Sequence, residues 1–242
     1  MLRNNFGVHD AATLAQLDFM ATAGRILQVH LRSQDAELDV HSLHQHVFGD
    51  VYAWAGKPRI VELRRGDSSF GSSARIPRAL DPLHVEIGRL ADEGTTIDDG
   101  TLSYRLARIY ADYNQIHPFR EGNGRTGTLL LHLLAGRAGR RLLLDDMSRS
   151  EWIGASRDSM PFRRDGTAAL LRPVRVRRVL VFPARPGGQR AGLQLGAPGI
   201  AHVHRLRQDL IGLAADDDDR VVVFDAVELE RGVHGVRRGL AA

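Results

Sequence analysis

Residues 129–135 read Leu-Leu-Leu-His-Leu-Leu-Ala, so Leu129, Leu130, Leu131, Leu133, Leu134 and Ala135 are apolar around nearly the whole circumference of a helix. A helix of that kind has no face to give to water and must run through the middle of the fold, with other elements on every side. The segment before it is "NQIHPFREGNGRTGT", residues 114–128, a polar interruption carrying one histidine, one acid, three glycines and two arginines. Further upstream, Leu102, Leu106, Ile109, Tyr110, Tyr113 and Ile116 recur at helical spacing. They form one apolar face of a helix that ends where Pro118 biases the backbone out of the αR region. Two helices joined by a polar loop therefore make the predicted centre of the molecule.

The rest of the chain supplies what must surround that centre. At 242 residues and 43% hydrophobic content there is material for one substantial domain and a smaller one. The spacing predicts helices over 10–31, over 39–56 up to a glycine stop, over 75–93 and over 148–160. "RIVELRRGDSSFG" alternates and carries turn chemistry at Gly66-Asp67-Ser68-Ser69, which predicts a short hairpin in helical surroundings. Near Pro173 the texture changes to strand, helix and strand, so a boundary is placed at Arg172: one domain over 1–172 and a small α/β or β-rich one over 173–242.

Several chemistries fall away on composition. There are no cysteines, which excludes disulfides, thiolate nucleophiles and cysteine-ligated zinc. No window of 18 or more uncharged apolar residues occurs and the N-terminus lacks the apolar run of a signal peptide, so no membrane partner is expected. The net charge is +4, and Lys57 is the sole lysine, so nearly all positive charge is arginine. The densest basic run, Arg172–Arg178, has no interleaved aromatics, and nucleic acid is not an expected partner. "HSLHQH", with His41, His44 and His46, has the composition of a metal site but reads as an ordinary helical stretch.

The glycines after His117 spell Gly122-x-Gly124-x-x-Gly127, with Asp145 about where a dinucleotide fold would place its ribose ligand. That fingerprint must follow a buried parallel strand, and here it follows an amphipathic helix; a P-loop is excluded because no lysine follows these glycines. A helix N-terminus fits better. If Asn123, Gly124 and Arg125 open the leucine-rich helix, their free N–H groups and the positive end of the helix dipole form an anion site. Gly122 and Gly124 let a phosphate approach the backbone, and Arg125 can reach the same anion. Glu121, a carboxylate beside a phosphate site, makes sense if it holds Mg²⁺. His117 would face the same cavity as a general base for an incoming hydroxyl. Base, metal ligand, anion nest and arginine together predict phosphoryl or nucleotidyl transfer.

"HPFREGNGRT" resembles the core motif of the Fic-domain family, which runs His, any, Phe, any, Asp or Glu, Gly, Asn, Gly, Arg, usually with a second Arg three positions on. "HQHVFGDVYAWAGKPR", "VELRRGDSSFG" and "EWIGAS" are similar to the family's Trp-Ala-Gly turn, its flap hairpin and the helix after the core, so the resemblance spans about 4–171. It implies a mainly α Fic fold with a β-hairpin flap, and transfer of AMP from ATP, with Mg²⁺, to a Tyr, Thr or Ser hydroxyl of a target protein. By position His117 would be the base, Glu121 the Mg²⁺ ligand, Gly122, Asn123 and Gly124 the anion hole, and Arg125 a phosphate contact. Phe119 would be a core anchor, and residues 60–72 would dock the target by strand-like pairing.

The family's second arginine falls at position 128, where this chain has Thr128. Losing one charge-assisted contact costs roughly 1.5–3 kcal/mol, about one to two decades in nucleotide handling. Weak activity, another nucleotide orientation or another phosphate-bearing donor, as in a Fic-like phosphotransferase, are the alternatives it raises, along with a binding role without efficient catalysis. The inhibitory Ser/Thr-x-x-x-Glu-Gly/Asn pattern of many relatives is absent: Ser33 to Glu37 has the spacing but continues into Leu38. Self-inhibition of that kind is not expected, which leaves room for a separate antitoxin-like inhibitor. A cytoplasmic location is expected, with delivery as a secreted effector left open.

Overall fold

The computed structural model describes residues 1–32, 35–65, 68–144, 147–159 and 175–178. Its helices are α1 (Ala11–Leu31), α2 (Val40–Phe48), α3 (Ile76–Glu93), α4 (Asp99–Ile116), α5 (Asn123–Arg137) and α6 (Arg149–Asp158). Four of them start on a side-chain cap. Asp10 accepts from Thr13 N, Asp39 from Ser42 N, Asp98 from Gly100 and Thr101 N, and Ser148 forms a reciprocal capping box with Glu151. Each such cap is worth about 1 kcal/mol.

The leucine-rich segment is the central helix. Leu129 to Leu131, Leu133, Leu134 and Ala135 are all buried in α5, which packs against α2, α3 and α4. α1 lies against α2, and α6 reaches α4 through Trp152, whose ring sits 4.8 Å from that of Tyr110. Gly127 lets α5 approach α4: a Cβ there would lie 2.8 Å from Tyr113 Cε1 and 3.0 Å from Tyr110 Cε2.

Three regions differ from the sequence reading. The helical signal over 39–56 stops at Phe48, and residues 49–57 form turns with Gly56 at φ 75. Tertiary contacts hold the turns: Val51, Tyr52 and Ala55 enter the core, and the Asn5 side chain donates to the carbonyls of Gly49 and Asp50. The hairpin is shorter than expected. Only β1 (Arg64–Arg65) and β2 (Ser68–Ser69) pair, antiparallel, with 66–67 outside the described residues. Residues 60–63 are irregular because the Val61 carbonyl turns inward to Arg59 instead of to a strand partner. Finally β3 (Arg140–Leu143), which the sequence reading did not anticipate, pairs antiparallel with β4 (Arg175–Arg178) in register Arg140↔Arg178 to Leu143↔Arg175. The first part of the expected post-boundary strand thus lies on the helical unit. The remaining strand-helix-strand reading of 173–242 falls outside the described residues.

Replacing Gly127 with valine forces a β-branched side chain between two aromatic rings, one of them fully buried. Overpacking of this sort costs roughly 2–3 kcal/mol, and a drop in Tm of about 5–10 °C by calorimetry is the expected outcome. An unchanged Tm would mean that α4 and α5 do not pack this closely.

Candidate active site

α4 ends at Ile116, and His117 caps it in the left-handed region at φ 49, ψ 62, the one non-glycine residue with positive φ among those described. That conformation costs of order 1 kcal/mol and must be held by its surroundings. Three side chains do so, each by satisfying peptide groups of the loop that neither helix can reach. The Arg59 guanidinium donates to His117 O at 2.8 Å and Ile116 O at 3.2 Å. Asn123 accepts from Phe119 N at 2.9 Å and donates to Phe119 O at 2.8 Å. His44 Nε2 donates to Glu121 O at 2.9 Å, while its Nδ1 accepts from Gly56 N at 2.8 Å. The His44 tautomer is therefore fixed with its proton on Nε2.

His44 is fully buried and stacked between Phe119 at 3.8 Å and Phe48 at 4.5 Å. Burial, with the nearby Arg125 charge, pushes its pKa down to about 3, so the ring stays neutral as a loop tie. His41 Nδ1 meets Gly56 O at 2.9 Å. Among the described residues no group of three or more His, Cys, Asp or Glu is placed to hold a metal. Of the three histidines in "HSLHQH", His41 and His44 thus tie the turn at Gly56, and His44 also the loop at Glu121.

Gly122 opens α5 at φ 77, and a Cβ there would lie 2.3 Å from Phe48 Cζ, so no other residue fits. The first helical bond of α5 runs from Thr126 N to Gly122 O at 3.0 Å. The N–H groups of Asn123, Gly124 and Arg125 come before it, and a helix offers these positions no carbonyl of its own. They lie at the positive end of the α5 dipole, the position at which a helix favours an anion. The Asn123 side chain is consumed by Phe119, which leaves the backbone of that residue as its only contribution to such a site.

The two charged groups are tied to each other. Glu121 Oε1 accepts from Gly122 N at 2.8 Å and from Arg125 Nη2 at 3.2 Å. Arg125 is buried and forks onto Asp18 at 2.9 and 3.0 Å, with Thr22 Oγ1 at 3.1 Å and the Phe48 ring under its Cζ at 4.5 Å. Its two terminal nitrogens are thus engaged inside the protein, where the sequence reading pointed the fork at an outside anion. Asp18 has a signal in the sequence: it and Thr22 interrupt the buried stripe Leu14, Asp18, Thr22, Ile26 of α1 at four-residue spacing. A buried acid on an apolar stripe needs a buried cation, and Arg125 is that cation. His117 stacks its ring on Phe70 from the hairpin side, centroids 3.7 Å apart at 16°. Thr128, one turn into α5, is 2% exposed, and among the described residues its Oγ1 has no hydrogen-bond partner.

Residues 36–135, which carry this loop, match the model of the Fic/DOC family. The chain is 32% identical over 145 residues to the probable protein adenylyltransferase y4lH of Sinorhizobium fredii, covering 59% of this chain and 74% of that protein. The chain belongs to the Fic/DOC family. It is also 30% identical over 175 residues to protein adenylyltransferase VbhT of Bartonella schoenbuchensis, across 71% of this chain but only 36% of VbhT, so it spans about a third of that relative. Among solved structures, the BepC protein of Bartonella tribocorum with bound AMPPNP shares the fold, with a TM-score of 0.57 at 17% identity over 67% of this chain and 85% of BepC. This Fic chain therefore holds the motif residues 117–125 on the α4–α5 junction, within the matched segment.

Two histidines inside the fold give it a pH signature. His44, which is buried, and the half-buried His132, which meets the His30 ring edge-on at 5.3 Å, both have pKa values pushed down to about 3, chiefly by desolvation. In the unfolded chain the same rings take up protons below about pH 6.5. Between pH 6.5 and about 3 the unfolded state binds more protons, so stability is lost as pH falls through that window. Denaturant unfolding between pH 6.5 and 5, above most carboxylate titration, should show a loss of up to about 1.4 kcal/mol per pH unit for each ring. His132→Leu should remove one share of that slope; an unaltered slope would contradict the assignment of a ring held neutral in the folded state.

Proposed function

We propose that this chain is a protein adenylyltransferase that moves AMP from ATP to a Tyr, Thr or Ser hydroxyl of a target protein. The observation that carries the reading is the set of N–H groups of Asn123, Gly124 and Arg125 at the start of α5, with the Glu121 carboxylate bonded to the adjoining Gly122 N and the candidate base His117 at the other end of the same loop. The names of the relatives VbhT and y4lH and the AMPPNP held by BepC support it. In the proposed reaction the His117 imidazole accepts the hydroxyl proton, and the target oxygen bonds to the α-phosphorus of ATP. The bond to the bridging oxygen breaks and pyrophosphate leaves with the electron pair. Negative charge on the α-phosphate oxygens is met by the α5 N–H groups, which are already oriented before substrate arrives.

Glu121 fits a Mg²⁺ site of the kind completed by substrate phosphates. Its Oε1 is taken by Gly122 N and Arg125, and among the described residues no hydrogen bond reaches Oε2. One or two carboxylates plus phosphates suffice for that ion, which when bound would offset charge on the phosphates. The Arg125 role proposed here is to hold Glu121 against the helix N-terminus, with Asp18 as its own anchor. The hairpin over 60–72 is the proposed docking strip for the target, and a separate antitoxin-like protein the proposed regulator. Among the described residues no helix is long and apolar enough to cross a membrane; the proposed place of action is the cytoplasm of the producing cell or of a recipient. The division at Arg172 into a Fic domain and a smaller unit is likewise our proposal.

Thr128 favours a second reading. With a buried hydroxyl in place of an arginine, the terminal phosphates lose one cationic contact, and a reversed nucleotide would present the γ-phosphorus instead. ATP labelled in parallel at the α- and γ-phosphates, incubated with Mg²⁺ and cell extract, separates the two. Protein-bound α-label that falls at least about a hundredfold in His117→Ala, with nucleotide binding retained, is the expected outcome for loss of a general base. γ-Label alone would establish phosphotransfer, and equal α-label from parent and His117→Ala would overturn the mechanism.

A further inference from the structure

Arg59 has a fully buried side chain whose nearest carboxylate, Glu62, is 3.7 Å away and 61% exposed. A guanidinium cannot discard its charge, so burial demands that its donors be filled. Backbone carbonyls fill them. Nε donates to His117 O at 2.8 Å, Nη1 to Val61 O at 2.6 Å, and Nη2 to Gly71 O and, at 3.2 Å, to Ile116 O. Two of these carbonyls close the C-terminal end of α4, where the helix dipole is negative and a cation is favoured. The other two belong to the two arms of the hairpin. The Arg59 N–H itself donates to Pro118 O at 2.8 Å, and Gly71 N donates to Gln115 O at 2.7 Å.

We propose that Arg59 is a positioning residue that makes the hairpin and His117 a single mechanical unit, so that a target segment docked on the hairpin arrives already aligned with the imidazole. This inference rests on the reading of His117 as the base. The guanidinium holds the backbone of the unit, and Phe70 completes it on the side-chain side. Phe70 stands on the returning arm, directly before Gly71, and its ring lies flat on the His117 ring at 3.7 Å. A face-on stack fixes the plane of the imidazole, and with it the direction in which the ring nitrogens face, since they lie in that plane and not along the stacking axis. Displacing the hairpin therefore moves the ring, and releasing His117 O from Arg59 lets the left-handed residue relax. A lysine has the charge but not the planar fork, and cannot reach four carbonyls from two elements at once.

The test uses Arg59→Lys and Phe70→Leu in the full chain, read by amide hydrogen exchange, by NMR of the His117 ring, and by α-label transfer. In Arg59→Lys, exchange at the amides of Gly71 and His117 should rise together by about tenfold or more, while that of 129–134 stays within about twofold. The His117 ring protons should lose the shift induced by the Phe70 ring. α-Label transfer should fall about tenfold or more, with affinity for an ATP analogue changed by less than about threefold. Phe70→Leu should abolish the ring shift and lower transfer while leaving amide exchange unaltered. Faster exchange at Gly71 with His117 amide and ring unchanged would overturn the coupling, as would a general loss of nucleotide affinity in step with transfer. If Arg59→Lys does not fold, Phe70→Leu with full transfer would overturn it alone. If the parent transfers no label, the functional reading fails, and exchange with the ring signal still decides whether hairpin and histidine are coupled.

Discussion

The junction between α4 and α5 buries a run of peptide groups that neither helix can satisfy, and the rest of the site follows from how they are paired. From Gln115 to Gly122 the partners come from elsewhere or from the loop's own side chains. Gln115 O takes the Gly71 N–H, Ile116 and His117 O take Arg59, Pro118 O takes the Arg59 N–H, Phe119 is bracketed by Asn123, Glu121 O takes His44, and Gly122 N takes Glu121. Each buried group left alone would cost about 1–3 kcal/mol, so the loop has little freedom once the helices pack. That rigidity fixes the first N–H groups of α5, which precede the first helical bond, and fixed donors are what electrostatic preorganisation requires.

The same physics accounts for part of the arginine bias of this chain. Arg59, Arg125 and Arg140 are all buried, and each bonds to more than one segment of the chain. Arg140 pairs with Asp99 at the start of α4 and donates to the carbonyls of Gly94, Ile97 and Ala138. A planar five-donor fork can close several carbonyls in one plane where an ammonium cannot. In each case the cation is offset by dipoles or by one well-placed carboxylate, and removing either side would leave an uncompensated buried charge.

Much of this was legible in the order of residues. The all-round apolar run of 129–135 marks a central helix, the spacing of Leu102 to Ile116 marks the helix packed on it, and the glycines after Glu121 mark the start of the central helix. What could not be read are the partners that hold the loop. Arg59, His44 and Asp18 meet their partners across 58, 77 and 107 residues of chain. Periodicity carries no information about such distances, although an acid on the buried stripe of α1 is a hint for Asp18. The turn at 49–57 was missed for a related reason: its local propensity is helical, and core packing of Val51, Tyr52 and Ala55 overrides it. The inward partners of Arg125 could not be read either, because a motif states which residues recur together and not which of them have partners inside the protein.

The central claim is that the open N–H groups at the start of α5 form a ready anion cradle. The most direct measurement is a titration of the isotopically labelled chain with a non-hydrolysable ATP analogue and Mg²⁺, following backbone amide resonances. The account predicts that the largest shifts fall on Asn123, Gly124 and Arg125, with those of 129–134 almost unmoved. Saturable binding that leaves these three amides unshifted would contradict it.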